Sequence, residues 1–196
     1  ARTLMLASKN LLKPADGEPI ISPSKDMVLG VFYLTMDMDG DHKGDGRAFY
    51  SIDEVQYSYD MGLVDLHAKI KFQVETYYDT DGKRLPQPEM RLVDTTVGRV
   101  IFNNILPPEM RFKNVILDKG AIKDLISEVY QVCDQEVTTE VADSIKDIGF
   151  EFSMRSGATI AVSDITIPET KNTMLADADN EVDQINRQWR RGLLTE

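Results

Sequence analysis

The chain is poor in residues that could staple a fold covalently or through a metal. It has one cysteine, Cys133, two histidines, His42 and His67, and one tryptophan, Trp189, among 196 residues. A single thiol cannot close an internal disulfide or build a zinc site. Disulfide-framed secreted scaffolds and zinc ribbons are thereby excluded, and a reducing, cytoplasmic setting is expected. No apolar run approaches the roughly 18 residues a membrane-spanning helix needs, so no membrane partner is expected. The opening Ala1-Arg2-Thr3-Leu4-Met5-Leu6 is too short in its apolar part for a secretory signal. Basic residues are also scarce: 22 Lys+Arg against 33 Asp+Glu leave a net charge of −11. A stand-alone nucleic-acid binder carries a basic face to replace phosphate counterions, and this balance speaks against one. What remains is ordinary for a globular protein. At 42% hydrophobic and 28% charged, the chain can bury a core and is no collagen, linker or disordered tract.

Periodicity sets the expected elements. Residues 2–10 read as the last turns of a helix with no cap before them, as though the chain began inside an element. Pro14, Gly17, Pro19 and Pro23 mark turns. Ser24 is placed to cap a helix over Asp26–Thr35, with Met27, Val28, Val31 and Leu34 at helical spacing. A polar loop over 37–46 follows, and Ser51-Ile52-Asp53-Glu54 restarts a helix that ends near Gly62. Residues 67–76 alternate as a strand, with a turn at Asp81-Gly82 and a returning strand over 90–93. Thr95 or Thr96 caps a helix that Pro107-Pro108 stops. An amphipathic helix is expected over 119–134, with Ile122, Leu125, Ile126, Val129 and Val132 on one face. Another is capped by Thr138 or Thr139 and broken by Gly157. Residues 159–167 are extended and β-branched. From Lys171 a long helix carries Leu175, Ala178, Val182, Ile185 and Trp189 at steps of three and four, the spacing of a coiled-coil seam whose partner is absent from the chain. No internal repeat is found. The fold class is therefore α+β: mixed helices, a small antiparallel hairpin or sheet, and a long protruding C-terminal helix.

Candidate chemistry is thin. Asp37-Met38-Asp39-Gly40-Asp41 puts three carboxylates in five residues, a pattern that can bind Mg²⁺. It fails as an EF-hand loop, because His42 and Ala48 stand where Gly and Glu are required. A solvated acidic turn is the commoner use of such a stretch. A metal-dependent hydrolase built on Asp37, Asp39 and Asp41 is the alternative function it allows. His67 reads as a satisfied core or edge histidine, and Cys133 as a small hydrophobe. No nucleophilic triad context, dinucleotide fingerprint or P-loop occurs. Cations stand beside glycines at Arg99, Lys119 and Arg155, where tight backbone can accept phosphate oxygens, though helix capping or carboxylate pairing is the usual role. From the residues alone the chain is a soluble α+β piece without a self-contained active site.

Four stretches resemble the beta-prime subunits of bacterial DNA-directed RNA polymerases. They are the run from Leu4 to Leu12 with Gly17-Glu18-Pro19-Ile20-Ile21 and Pro23-Ser24; Asp94-Thr95-Thr96-Val97-Gly98-Arg99; Ile148-Gly149-Phe150 with Arg155-Ser156-Gly157 and residues 165–169; and Gly192-Leu193-Leu194-Thr195. They keep the family's order and close to its spacing over nearly the whole chain. The resemblance implies a section of a transcription enzyme, a nucleotidyltransferase, that is inactive by itself. It implies that the catalytic Mg²⁺ motif lies upstream of residue 1, so that this section holds no cofactor, and that the bridge helix and trigger loop lie downstream. It divides the chain into a tail of the active-centre region over 1–36, a pore or secondary-channel domain over 37–168, and the first arm of a rim helical hairpin over 169–196. The implied partners are the beta, alpha and omega subunits, nucleoside triphosphates and the RNA 3′ end, and the transcription factors that enter the channel. Lys119, Arg99 and Arg155 match family positions that are structural or line the channel, while Trp189, Leu193 and Leu194 fall on the factor-docking rim. In some members a lysine and a tyrosine near Ala142-Asp143 help bind a nucleotide alarmone. Glu136 and Asp147 stand there, so that site is not expected here.

Overall fold

A computed structural model describes residues 5–78 and 84–193. The chain forms two compact units, Ala1–Ala158 and Thr159–Glu196. The expected Asp81-Gly82 turn lies outside the described residues.

The first unit is built on helix α1 (Asp26–Thr35) crossing the long helix α5 (Gln135–Ser156). The bounds of α1 follow its apolar spacing, but its cap differs from expectation. Lys25, at φ 53°, stands at the N-cap and supplies no side-chain bond. Two glycines let the two backbones touch. A Cβ on Gly30 would sit 1.8 Å from the Gly149 carbonyl oxygen, and one on Gly149 would sit 2.6 Å from the Met27 oxygen. Buried Val31 and Leu34 on α1 and Val141, Ile145 and Phe152 on α5 close the seam on either side. The same device recurs at α3 (Val97–Asn103), where Gly98 approaches the Leu34 carbonyl so closely that a Cβ would lie 1.9 Å from it.

Helix α2 (Ile52–Asp60) starts as its sequence says. The Ser51 hydroxyl accepts from the Glu54 amide at 3.2 Å, and the Glu54 carboxylate accepts from the Tyr50 amide at 3.1 Å. Strand β2 (Lys69–Tyr78) pairs antiparallel with β3 (Arg84–Thr96), and β1 (Ala48–Phe49) adds to β2 in parallel. The hairpin expected from alternation is present. The parallel edge was not foreseen, because two residues are too few to show a period of two. Inward-facing Ala68, Ile70 and Phe72 of the β2 segment meet Phe49 and the buried face of α3.

Helix α4 (Lys119–Val132) is capped by Asp118 and ends at Cys133, which is partly buried. Helix α5 begins at once, capped by the Asp134 carboxylate, which accepts from the Val137 amide at 2.8 Å. The expected caps, Thr138 and Thr139, lie inside the helix instead, their hydroxyls donating back to the Asp134 and Gln135 carbonyls. A hydroxyl inside a helix satisfies itself this way when an earlier carboxylate already serves the free amides. Gly157 ends α5 in the left-handed region at φ 61°.

In the second unit, residues 159–167 hold one 3-10 turn, Val162–Asp164, and no strand among the described residues. Helix α6 (Lys171–Arg190) follows. Its seam residues Leu175, Val182, Ile185 and Trp189 are each about half exposed. Asp177, Asp179, Glu181 and Asp183 mark its middle, and Arg187, Arg190 and Arg191 its end.

Gly30→Ala or Gly149→Ala therefore forces the α1–α5 crossing apart. Each is expected to lower unfolding free energy by about 3 kcal/mol or more in urea titrations, the upper range for overpacking. Gly120→Ala, whose Cβ meets only the Asp118 carboxylate at 3.4 Å, is the control and is expected to be neutral or stabilising by about 0.5 kcal/mol.

Candidate functional site

Among the described residues, Arg99, Asn103 and Asn114 form a connected polar cluster, with the Arg99 guanidinium at its centre. The Thr96 hydroxyl accepts from the Arg99 amide at 3.3 Å and starts α3, which directs the Arg99 side chain toward the end of α1. The guanidinium donates to the Thr35 carbonyl at 3.0 Å, to the Asn114 side-chain oxygen at 3.2 Å and to the Asp37 carboxylate at 2.8 Å. Its side chain is 10% exposed, while that of Asp37 is 50% exposed. The pair thus straddles the surface, and its hydrogen bonds matter more than the ion pair's Coulomb attraction. Asn114 accepts also from the Thr95 hydroxyl and donates to the Asp94 carbonyl. Asn103 donates to the Arg99 and Lys113 carbonyls and accepts from the Lys113 amide.

Residues 35–37 are therefore a junction. The Thr35 hydroxyl donates to Val31 within α1 and accepts from the Leu117 amide just before α4. The Met36 carbonyl lies 3.3 Å from His67 Nδ1 at the entrance to β2. A carbonyl only accepts, so Nδ1 carries the proton and Nε2 presents a lone pair. That Nε2 is buried and has no hydrogen-bond partner among the described residues. The histidine expected to be satisfied is thus satisfied among them on one side only. Its ring meets Tyr33 edge-on at 4.9 Å and lies 6.2 Å from His42. Burial holds its pKa below the ordinary 6.5. The Met36 bond opposes that shift, nearby His42 adds to it, and Asp37 and Asp65 oppose it.

The acidic loop does not converge on a metal. Asp37 turns to Arg99, and Asp39 and Asp41 are exposed. The carboxylates that order the loop are two that sequence reasoning passed over. Asp45 accepts from the His42 and Lys69 amides at 3.0 and 2.7 Å, bonds that pull its pKa below the ordinary carboxylate value. Asp65 accepts from the Lys43 amide at 2.8 Å. Among the described residues no three His, Cys, Asp or Glu side chains are grouped to hold a metal ion. The hydrolase reading finds no support in this geometry.

The other expected site residues are dispersed. Lys119 is the exposed first residue of α4, with no ion pair among the described residues. Arg155 pairs with Glu151 at 2.7 Å, donates to the Tyr59 hydroxyl at 3.3 Å and lies over the Tyr59 and Phe152 rings. Among the described residues Arg99, Lys119 and Arg155 share no hydrogen-bonding partner. Trp189 lies on α6 and Leu193 just beyond it, both exposed. Leu194 lies outside the described residues. No helix among them is long and apolar enough to cross a membrane.

Residues 10–165 match the family described as RNA polymerase Rpb1, domain 3, and the chain belongs to that family. It is 44% identical over its whole length to the DNA-directed RNA polymerase subunit beta' of Desulforamulus reducens, of which it covers 15%. The same subunit of Pelotomaculum thermopropionicum is 39% identical, with 16% of that protein covered. That of Francisella tularensis subsp. novicida is 38% identical, with 14% covered. In each case all of this chain aligns. The chain thus spans about one seventh of the length of these relatives.

Two outcomes follow from the junction. Arg99→Ala leaves the buried Thr35 carbonyl without its donor, while Asn114 keeps Thr95 and the Asp94 carbonyl, and is expected to cost about 2 kcal/mol in urea unfolding. Asp37→Asn, at the exposed end, costs about 1 kcal/mol. Because His67 is held neutral by burial, the unfolded chain takes up its proton first. Stability is complete above about pH 6.5 and falls as the pH drops through the lower folded-state value. Unfolding titrations between about pH 7 and pH 5 register that loss, and His67→Gln is expected to flatten the slope.

Proposed function

We propose that this chain is a non-catalytic section of the beta-prime subunit of a multi-subunit RNA polymerase, forming part of the wall and rim of the passage by which nucleoside triphosphates reach the active centre. The observation that carries the reading is the alignment of the whole chain with about one seventh of bacterial beta' subunits at 38–44% identity. In this reading residues 1–36 close the active-centre region, 37–168 form the channel wall and 169–196 supply the first arm of the rim. The beta, alpha and omega subunits are its neighbours, and the enzyme works in the cytoplasm. The parent reaction is phosphoryl transfer with metal ions positioning the RNA 3′-hydroxyl and the incoming triphosphate. The Mg²⁺ ligands belong to a part of the subunit ahead of residue 1. The isolated section is expected to turn over no nucleotide.

Several features support this division of labour. Arg99 is turned inward onto Thr35, Asn114 and Asp37, which supports the structural one of its two expected roles, stiffening the wall from within. Exposed Lys119, which makes no ion pair among the described residues, is suited to meet a passing triphosphate or the RNA 3′ end. Arg155 fixes the end of α5 to Tyr59 of α2. The exposed seam of α6 has the three-four spacing of a two-stranded coiled coil, which suits an arm awaiting its second strand.

A chimaera tests the reading. When this chain replaces the aligned section of the Desulforamulus reducens beta' subunit, the assembled enzyme is expected to elongate RNA. Trp189→Ala and Leu193→Ala in the chimaera are expected to slow factor-stimulated cleavage of backtracked RNA at least about tenfold while leaving elongation intact, the loss of one well-packed anchor. Unchanged factor response in both variants removes the rim assignment. Failure to assemble despite correct folding removes the wall assignment.

A further inference from the structure

Both histidines of the chain lie at one place, where the loop over 37–46 passes the entrance to β2. His67 is buried, His42 is half-buried on the loop, and their ring centroids are 6.2 Å apart. The loop is pinned on either side of His67. On one side the Asp45 carboxylate accepts from the His42 and Lys69 amides, and the Gly46 amide donates to the Lys69 carbonyl at 2.7 Å. On the other, the Lys43 amide donates to the Asp65 carboxylate and the Asp65 amide to the Lys43 carbonyl, each at 2.8 Å. The chain's only two imidazoles are thus held as neighbours by backbone bonds.

Their tautomers match as well. His67 Nδ1 donates to the Met36 carbonyl and His42 Nε2 to the Met38 carbonyl, both at 3.3 Å. Each neutral ring then keeps one lone pair, on His67 Nε2 and on His42 Nδ1. Carbonyls that hold the second ring nitrogen are what orient metal-ligating histidines. His67 Nε2 is the one buried side-chain nitrogen or oxygen among the described residues with no hydrogen-bond partner. With metal–nitrogen bonds of about 2.0–2.1 Å, two imidazoles on one ion have centroids up to roughly 6.4 Å apart, so the observed separation lies within reach. Asp37 and Asp65 favour positive charge at His67. Their carboxylates already serve Arg99 and the Lys43 amide, so they balance charge and do not ligate. Imidazole nitrogen suits zinc, nickel and copper, whereas Mg²⁺ takes oxygen ligands.

We propose that His67 Nε2 and His42 Nδ1 form a two-imidazole site for one divalent transition cation of the zinc, nickel and copper class. No third His, Cys, Asp or Glu is grouped with them among the described residues, so water completes the coordination on the side of the loop. The bound ion clamps the loop over 37–46 to the entrance of β2. The site needs no other chain, so it stands or falls separately from the reading above.

Isothermal titration of the 196-residue chain with ZnCl₂ and NiCl₂ tests this, with MgCl₂ as the oxygen-seeking control. One Zn²⁺ or Ni²⁺ per chain is expected, with Kd about 10 μM or tighter, and no Mg²⁺ binding in that range. His42→Ala is expected to weaken binding at least about tenfold, roughly 1.4 kcal/mol. Cys133→Ser, which removes the only thiol, is expected to change nothing. Long-range ¹H–¹⁵N spectra of the imidazoles place the ion: adding Zn²⁺ shifts His67 Nε2 and His42 Nδ1 together. Thermal melting checks that His42→Ala folds; where it does not, the imidazole shifts of the unaltered chain decide. No binding at about 100 μM ion, or binding that survives His42→Ala in the folded variant, overturns the proposal. So does loss of binding in Cys133→Ser. A shift at His42 with none at His67 Nε2 also overturns it, because that marks an ion held at the surface by one ring.

Discussion

One guanidinium holds the first unit to its geometry. Arg99 is the point at which the end of α1, the start of α3 and the segment entering α4 exchange hydrogen bonds, because its planar fork reaches Thr35, Asn114 and Asp37 at once. A lysine could occupy the same volume but would offer a single point charge instead of a fork. The neighbouring residues repeat the logic. Thr35 receives Leu117 and Met36 receives His67, so three consecutive residues join four chain segments. Such a junction ties elements through buried backbone groups whose alternative partner, water, is excluded.

The two glycine crossings complement that junction. At Gly30 against Gly149, and at Gly98 against Leu34, the chains meet backbone to backbone with no room for a side chain. Hydrogen bonds fix where α1 ends, and the missing Cβ atoms fix how closely α3 and α5 pack on it. Together they make the unit stiff, which suits a part whose proposed task is to shape a passage for other molecules.

Periodic features of the fold were legible in the sequence. The bounds of α1, the Ser51 start of α2, the β2–β3 pairing, the amphipathic face of α4 and the Gly157 stop of α5 all follow from spacing and turn chemistry. Features resting on one residue meeting a distant one were not. Arg99 lies 62 positions from Asp37 and 64 from Thr35, a separation no local pattern records. Asp45 and Asp65 serve backbone amides, and that use leaves no mark separating them from the solvated Asp39 and Asp41 beside them. Asp134 outcompetes the two threonines as the α5 cap because it stands at the end of α4, a boundary visible only once α4 is seen to stop at Val132. The family resemblance reached further than the residues did. It carried the chain's place in a larger subunit, which no pattern of charge or hydropathy contains.

The charge order of α6 has a consequence of its own. Its acids, Asp177 to Asp183, lie in its middle; its first turn holds Lys171 and no acid, and its last turn carries Arg187 and Arg190, so side-chain charge opposes the backbone's polarity at the C-terminus, where the peptide groups are negative. The arginines therefore offset the field of the peptide groups at the end of a helix whose residues are all exposed. Added electrolyte weakens that compensation. The ionic strength of the medium, as much as any contact, thus sets how far this helix keeps its winding on its own.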